Sequence, residues 1–454
     1  MRKIYQYILM AVALVATASC SNELDETLQP ANNGTLQFVV SDFPAFGEDA
    51  QTRAIGTQDE GKTAWADGDK ILVHLYSQKY GDQAVTLTFD AEYNTWESDG
   101  GTLSYLENET PTITAVYAPD CEIKSDKTIG LLEGKQYGEA EYILARTTIS
   151  ENRLDINFES GRTYSRLRIA GLANQTLTVT TTGFTPAGAT EVATAAYTLI
   201  TDNNGNAFLY GVFAEDATVS VKQGDITLKD YTFSAEKNPN GKSYALDATP
   251  VIDGTLGGKA TVTKEEVNAL VEQLKEYVDN GITTIIVPGT EYAMYKSNLG
   301  MIPAFAEALY LLTDNSQEES QYRGTIDLIL PDATEIIDFS FDSANALKSI
   351  TLPKVTTVGD GAFYGCQYLG KMTFGSVITE VVEIKSGVFA SLGIKSDNEA
   401  CDLVLNCGQL NAEDKYKPNL ESNVWYIGEW SGETEWKSIT LTHTGECDEC
   451  KANQ

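Results

Sequence analysis

The sequence is poor in histidine: His74 and His443 are the only two in 454 residues. That scarcity leaves almost no material for a histidine acid/base network or a multi-histidine metal centre. Basic residues are also short, with 32 Lys and Arg against 65 Asp and Glu and a formal charge of −33. A surface this negative repels phosphate backbones instead of displacing their counterions, which argues against nucleic acid as a partner. No run of ~20 apolar residues follows the first twenty positions, and no glycine-rich phosphate loop, nucleophile elbow or zinc-protease motif occurs. Acidic pairs such as Glu265–Glu266 and Glu318–Glu319 read as solvated charge. No catalytic residue, cofactor or assigned metal site follows from the sequence, which reads as a non-enzyme. Tyr (23) and Gly (37) are plentiful while Met (5) is scarce, and 42% of residues are hydrophobic. That balance suits strands and turns better than helical bundles, in a chain long enough for two or three domains.

Residues 1–20 combine Arg2 and Lys3, an apolar run from Ile8 to Ala16, and the small residues Thr17, Ala18 and Ser19 before Cys20. This is the pattern of a signal peptide, and its apolar core is too short to cross ~30 Å of hydrocarbon. Thr17-Ala18-Ser19-Cys20 resembles the lipobox of bacterial lipoproteins, with Thr17 standing where that motif usually has Leu. The resemblance implies that Cys20 is lipidated and that the protein is anchored to the outer membrane and exposed on the surface. Residues 21–35 form an acidic tether. Its stretch Ser21 to Glu26 is similar to the surface-export tag of lipoproteins from anaerobic Gram-negative bacteria, and also reads as an ordinary polar spacer.

From Leu36 onward, short segments such as Lys70 to Tyr76, Ala84 to Phe89 and Thr112 to Tyr117 alternate apolar and polar residues. Turn residues such as Asp67-Gly68-Asp69 separate them, which predicts antiparallel strands. A second set, including Arg166 to Ile169, Gln175 to Thr180, Ala207 to Tyr210 and Thr218 to Val221, predicts two sheet domains in tandem, over 36–160 and 161–249. The order Leu36-Gln37-Phe38, Gln51-Thr52-Arg53-Ala54, Trp65-Ala66-Asp67-Gly68-Asp69-Lys70-Ile71 and Ile156-Asn157-Phe158 before Ser165-Arg166-Leu167 resembles the fimbrillin-like family. Phe158-Glu159-Ser160 departs from the family, which often places a His after the Phe. The resemblance implies transthyretin-like β-sandwiches, serving as pilin subunits, fimbrial tips or anchors. In polymerising relatives a protease cuts after an arginine between the first two strands, which would make Arg53–Ala54 the cut site; in an uncut anchor or a stand-alone adhesin Arg53 is a surface residue. Trp65 reads as a core aromatic, and Asp67 and Asp69 as turn carboxylates able to hold a cation weakly.

Residues 250–454 begin with a clear helix signal: Thr263 and Glu266 form a capping-box pair, Val267, Leu270, Val271, Leu274, Tyr277 and Val278 lie on one face, and Gly281 ends it. A strand at Ile282 to Val287 and a second helix around Ile302 to Leu312 follow. The chain then repeats. Leu330-Pro331 recurs as Leu352-Pro353, Phe341 as Phe363 and Leu347 as Leu369, all displaced by ~22 residues, the mark of stacked turns that bury a shared ridge. A looser third turn runs through Ile378, Val381, Ile384, Phe389 and Leu392, and a fourth strand through Leu403 to Leu405. The segment Ile350 to Leu369 resembles the BspA-type leucine-rich repeat. That resemblance implies a short α/β solenoid at the end of a mainly β chain, with Ala362, Phe363, Cys366 and Leu369 in its core. It also implies a sheet that binds surface macromolecules, with Ser349, Thr351, Lys371 and Thr373 as the candidate face; these four also read as merely solvated positions.

Cys121, Cys366, Cys401, Cys407, Cys447 and Cys450 read as disulfides in an exported chain, as free thiols, or, for the last four, as a zinc site. The resulting expectation is a surface lipoprotein that adheres to a protein or glycan on a host or neighbouring bacterium. Two alternatives stand beside it. One is a fimbrial subunit assembled with other subunits by strand exchange. The other is a glycan-binding lipoprotein for carbohydrate uptake, with Trp425, Tyr426, Trp430 and Trp436 as stacking platforms.

Overall fold

The computed structural model describes residues 36–46, 62–106, 109–150, 152–159, 163–191, 193–313, 321–381, 401–413, 416–426 and 433–442. It is mainly β, with several separate sheets. In the N-terminal region a five-stranded antiparallel sheet runs in the order Thr95–Ser98, Gly81–Asp90, Lys70–Ser77, Thr112–Tyr117 and Ile143–Leu144. A three-stranded sheet joins Gln37–Val40 to Arg153–Asn157 in parallel and Arg153–Asn157 to Arg146–Ser150 in antiparallel. The alternation of Val85, Leu87 and Phe89 turns one sheet face inward, and Leu154, Ile156 and Phe158 meet it in one apolar cluster. The Lys70–Ser77 strand departs from alternation because it is covered on both faces: Ile71 and Val73 enter the main cluster, while Leu72 packs with Val116 and Ala118 in a second, smaller one. Trp65 is half-buried at the cluster's edge. Its ring centroid lies 4.9 Å from those of Phe43 and Trp96, and its indole N–H donates to the Ser41 carbonyl at 2.9 Å.

Residues 163–248 form a six-stranded sheet in the order Ala193–Ile200, Thr176–Pro186, Asn206–Gln223, Ser165–Ala170 and Ser243–Asp247, with Ile226–Thr232 also paired to Asn206–Gln223. Here the strand expectations need correction. Ala207 to Tyr210 and Thr218 to Val221, read from the sequence as separate strands, belong to one 18-residue strand. Its inward alternation breaks at Ala214, Glu215 and Asp216, which are exposed, and Asp216 adopts φ 60°. Opposite this break the register shifts between Thr182 and Phe184. The intervening Gly183 has φ 63° and would place a Cβ 3.2 Å from the Ala217 backbone, so a side chain there would be strained. Both long strands bend at one level, and the sheet curls round its own core, where Phe213 and Phe233 stack with centroids 3.8 Å apart.

The C-terminal region holds two helices, α1 (Lys264–Asp279) and α2 (Ala304–Leu312). The α1 start matches the sequence signal: the Glu266 N–H donates to Thr263 Oγ1 while the Thr263 N–H donates to the Glu266 carboxylate. Six parallel strands form its main sheet in the order Thr284–Ile286, Ile326–Ile329, Leu347–Leu352, Lys371–Phe374, Asp402–Asn406 and Ser438–Thr442. A second parallel ladder joins Glu335–Ile336, Thr357–Val358 and Glu380–Val381. Polar contacts repeat at a separation of 22 residues, including Ser349 to Asp327, Lys354 to Asp332, Asp360 to Asp338 and Gln367 to Asn345. The rings of Phe341 and Phe363 stack at 5.4 Å and 7°, and Ala362, Cys366 and Leu369 are buried with them.

This region is also wedged against the preceding sheet. Ile226 lies in the C-terminal apolar cluster, and Leu228 packs against both that cluster and the cluster of the curled sheet. The Asp225 N–H donates to Asn280 Oδ1 at 2.8 Å, and Gln223 Nε2 donates to the Gly281 carbonyl at 3.1 Å. At Gly224, φ 56°, a Cβ would stand 2.5 Å from Asn280 Oδ1, so this close approach needs glycine.

Candidate binding face

The strands of the parallel sheet alternate buried Ile326, Leu328, Ile350, Leu352, Met372, Phe374 and Leu403 with residues that face outward. Parallel pairing then sets the outward residues in rows about 4.8 Å apart from strand to strand. Ser349 pairs with Lys371, and Thr351 with Thr373. The four residues singled out from the sequence therefore form one contiguous block. Lys371 is exposed and the other three are half-buried.

The pairing extends this block in both directions. Asp327 precedes Ser349 and Ile329 precedes Thr351. Asp402 follows Lys371, Val404 follows Thr373, and Ser438 and Thr440 come next. One row thus reads Asp327, Ser349, Lys371, Asp402, Ser438, and the adjacent row Ile329, Thr351, Thr373, Val404, Thr440. Within the first row Ser349 Oγ donates to Asp327 Oδ1 at 2.5 Å and Ser438 Oγ to Asp402 Oδ1 at 2.6 Å. These bonds leave Lys371 between two hydroxyl–carboxylate pairs, beside a row of β-branched residues. Such a surface offers hydrogen bonds, one ammonium group and a strip of half-buried β-branched side chains. Asp402 and Ser438 escaped the sequence reading because their offsets from the preceding strands are irregular.

Several expectations need correction. Trp425 and Trp436 are buried, and Trp425 Nε1 donates to the Tyr416 carbonyl at 2.9 Å. Trp425 packs against Phe374 and Trp436, with centroids 6.1 and 6.2 Å apart, so both tryptophans are core residues and not stacking platforms for a sugar. The Tyr426 side chain and Trp430 lie outside the described residues. Asp69 is not available to a metal: it accepts from Lys62 Nζ at 2.5 Å, the Ala66 N–H at 2.6 Å and Tyr117 Oη at 3.2 Å.

The cysteine expectation also changes. Cys401 and Cys407 flank the extended strand Asp402–Asn406 at opposite ends, roughly 20 Å apart at the usual rise per residue, far beyond the reach of one disulfide or one tetrahedral zinc ion. Cys401 and Cys366 are buried free thiols, and burial pushes both well above the ordinary thiol range. Cys121, also a free thiol, is half-buried and pushed up to about 11, chiefly by burial. Among the described residues, no group of three or more His, Cys, Asp or Glu side chains is placed to hold a metal ion, and no helix is long and apolar enough to cross a membrane. Cys20, Arg53, Ala54, His443, Cys447 and Cys450 lie outside the described residues, as do Ile384, Phe389 and Leu392 of the third turn.

No family model matches the sequence, and no curated protein does. Several solved structures are similar over part of the chain, among them the following three. A candidate cell adhesion protein of Bacteroides fragilis is 13% identical over 47% of this chain and 92% of that one, with a TM-score of 0.24. A fimbrial protein of Bacteroides ovatus is 12% identical over 47% of this chain and 48% of that one, at 0.23. The minor pilin of Streptococcus agalactiae is 8% identical over 47% of this chain and 93% of that one, at 0.17. Likenesses at these scores leave fold and function to be argued from the chain itself.

Proposed function

We propose that this chain is a lipid-anchored surface adhesin of the outer membrane. In this reading residues 36–160 and 161–249 are transthyretin-like β-sandwiches of the fimbrillin-like type, and residues 250–454 are a leucine-rich-repeat domain that presents the binding face. Its ligand is a protein or glycan on a host or neighbouring bacterial surface, and the chain catalyses no reaction. One observation carries the reading: Ser349, Thr351, Lys371 and Thr373 fall in register on the outer face of a parallel sheet in which three successive strands, Ile326–Ile329, Leu347–Leu352 and Lys371–Phe374, pair Asp327, Ser349 and Lys371 at 22-residue spacing. Cys20 supplies the anchor, where acyl chains contribute about 0.8 kcal/mol per buried CH₂.

The test replaces Thr351 and Thr373 by Arg and Lys371 by Glu in one variant, displayed on cells, and measures attachment to a panel of immobilised host proteins and glycans. Loss of attachment with an unchanged melting temperature is expected. Full attachment by this variant, alongside loss on deletion of residues 282–454, would move the site off the sheet face.

A second reading, the fimbrial subunit, is favoured by the position of Gln37–Val40. Among the described strands it pairs with Arg153–Asn157 alone, at the margin of its sheet. Its release after a cut at Arg53–Ala54 would expose a strand edge for another subunit to fill. N-terminal sequencing of the mature protein separates the readings: a lipidated Cys20 supports the anchored adhesin, and a start at Ala54 the polymerising subunit.

A further inference from the structure

Two cavities of about 340 and 290 Å³ lie side by side in the C-terminal region, away from the outward rows of the sheet. Both are walled on one side by the Met294–Lys296 and Met301–Pro303 hairpin with the first turn of α2, and on the other by the turn from Glu335 to Ser343. Ser340 borders both, so the two are neighbours on the same side of the fold, and we take them as two compartments of one groove. Volumes near 300 Å³ are those of sites that receive a side chain or a small ligand group.

The compartments differ in chemistry. The larger has an aromatic floor, where the Phe305 ring lies 5.0 Å from Tyr292 and 6.1 Å from Phe341, with Pro303, Leu330 and Ile336 beside it; its carboxylates, Glu291 and Glu335, are both exposed to water. The smaller is lined by two half-buried carboxylates, Glu307 and Asp342, with no Lys or Arg in its wall. Burial pushes both carboxyls above their ordinary range. Lys264 opposes the shift at Glu307, and Ser343 Oγ, donating to Asp342 Oδ1 at 2.7 Å, opposes it at Asp342. A cation held in this compartment beside either carboxylate would recover the electrostatic stabilisation that burial removes. Leu299, 53% exposed, stands on the rim of this compartment, next to Met301 of the hairpin at 43%. A small ligand confined to the cavities would leave Leu299 in water, whereas a length of chain crossing the groove would cover it.

We propose that this groove docks an extended peptide segment of another protein, one that places an aromatic side chain in the larger compartment and a lysine or arginine, one or two residues away, in the smaller. The occupant is set by complementarity: an apolar ring against an aromatic floor, a cation against two desolvated carboxylates, and an extended backbone along the rim. The site is separate from the Ser349–Thr373 face and does not depend on it.

The experiment uses the full chain and a fluorescein-labelled Gly-Phe-Ser-Lys-Gly peptide, read by fluorescence polarisation. Controls replace the Phe by Ser or the Lys by Glu, and unlabelled phenethylamine is the small-molecule competitor. Saturable binding is expected, weakened about tenfold in the Glu307→Gln/Asp342→Asn double variant and by either peptide control. Ile337→Arg, which puts a cation and bulk into the wall of the larger compartment, should block binding while the melting temperature of the chain holds. Three results would overturn the proposal: no binding at millimolar peptide, equal binding of the Glu-bearing control, or displacement by phenethylamine with an affinity equal to the peptide's, which would make a small amine the ligand.

Discussion

Lys62 Nζ lies 2.5 Å from Asp69 Oδ2, and the pair is enclosed by aromatic rings, with the ammonium 4.7 Å from the Tyr117 centroid and 5.0 Å from that of Phe43. The carboxylate also accepts from the Ala66 N–H, which ties the turn before Lys70–Ser77 to the aromatic edge of the N-terminal core. Removing one partner strands the other in a partly desolvated site. Asp69→Ala should therefore lower stability by about 1–3 kcal/mol, with Lys62→Met costing less because its stem keeps packing on the rings. Chemical denaturation of the two variants checks the order, and equal losses would refute the asymmetry.

The stacked pair Phe341 and Phe363 gives the largest expected effect. Both are fully enclosed, and Phe363→Ala should cost about 3–5 kcal/mol through the cavity it leaves. Phe363→Leu, which keeps most of the volume, should cost well under half as much. Thermal unfolding followed by circular dichroism reads both.

Thiol reactivity should rank the cysteines by burial. In the native chain at pH 8, Cys121 should react slowly with a maleimide, while Cys366, whose Sγ donates to the Phe341 carbonyl at 2.8 Å, and Cys401 should react only on unfolding. Mass spectrometry after timed labelling identifies the sites.

The same burial sets a pH dependence. A thiol whose folded pKa is raised contributes stability that is complete below the unfolded value near 9.0 and is lost as pH climbs from there towards the folded one. Stability should fall between pH 9 and 11, and Cys366→Ala should flatten that slope even though it lowers stability at pH 7. An unchanged slope in the variant would assign the alkaline loss to other groups.

At α1, Thr263→Ala removes the hydroxyl that accepts the Glu266 N–H and should cost about 1 kcal/mol, whereas Thr263→Ser should be nearly neutral. Urea titrations of both variants test this.

What could be read from the chain was what repeats or caps locally. The α1 boundaries came from Thr263, Glu266 and Gly281 because each acts within one helical turn. The stacked turns that face the parallel sheet came from Phe341 and Phe363, which announce their own spacing. The curl of the middle sheet was hidden, because Glu215-Asp216 looks like a turn between two strands, and only pairing with distant strands keeps the chain extended through it. The parallel docking of Gln37–Val40 on Arg153–Asn157 was equally invisible, since nothing in either segment names its partner. Trp425 and Trp436 were misread because exposure is a property of the fold and not of the residue. The groove beside α2 gave no signal at all: its carboxylates lie far apart in the chain, at positions 307 and 342, and its aromatic floor looks like ordinary core until the hairpin is folded over it.

The wedge formed by Ile226, Leu228 and the Asp225–Asn280 bond bears on how the chain would respond to drag. A hinge between the curled sheet and the parallel sheet would let flowing liquid swivel the outer part freely. Here the apolar contact and the polar bonds at Gly281 and Asn280 resist that swivel together. In a chain tethered as proposed, a tug on the parallel sheet would pass through these contacts to the curled sheet as tension instead of being spent in a swivel.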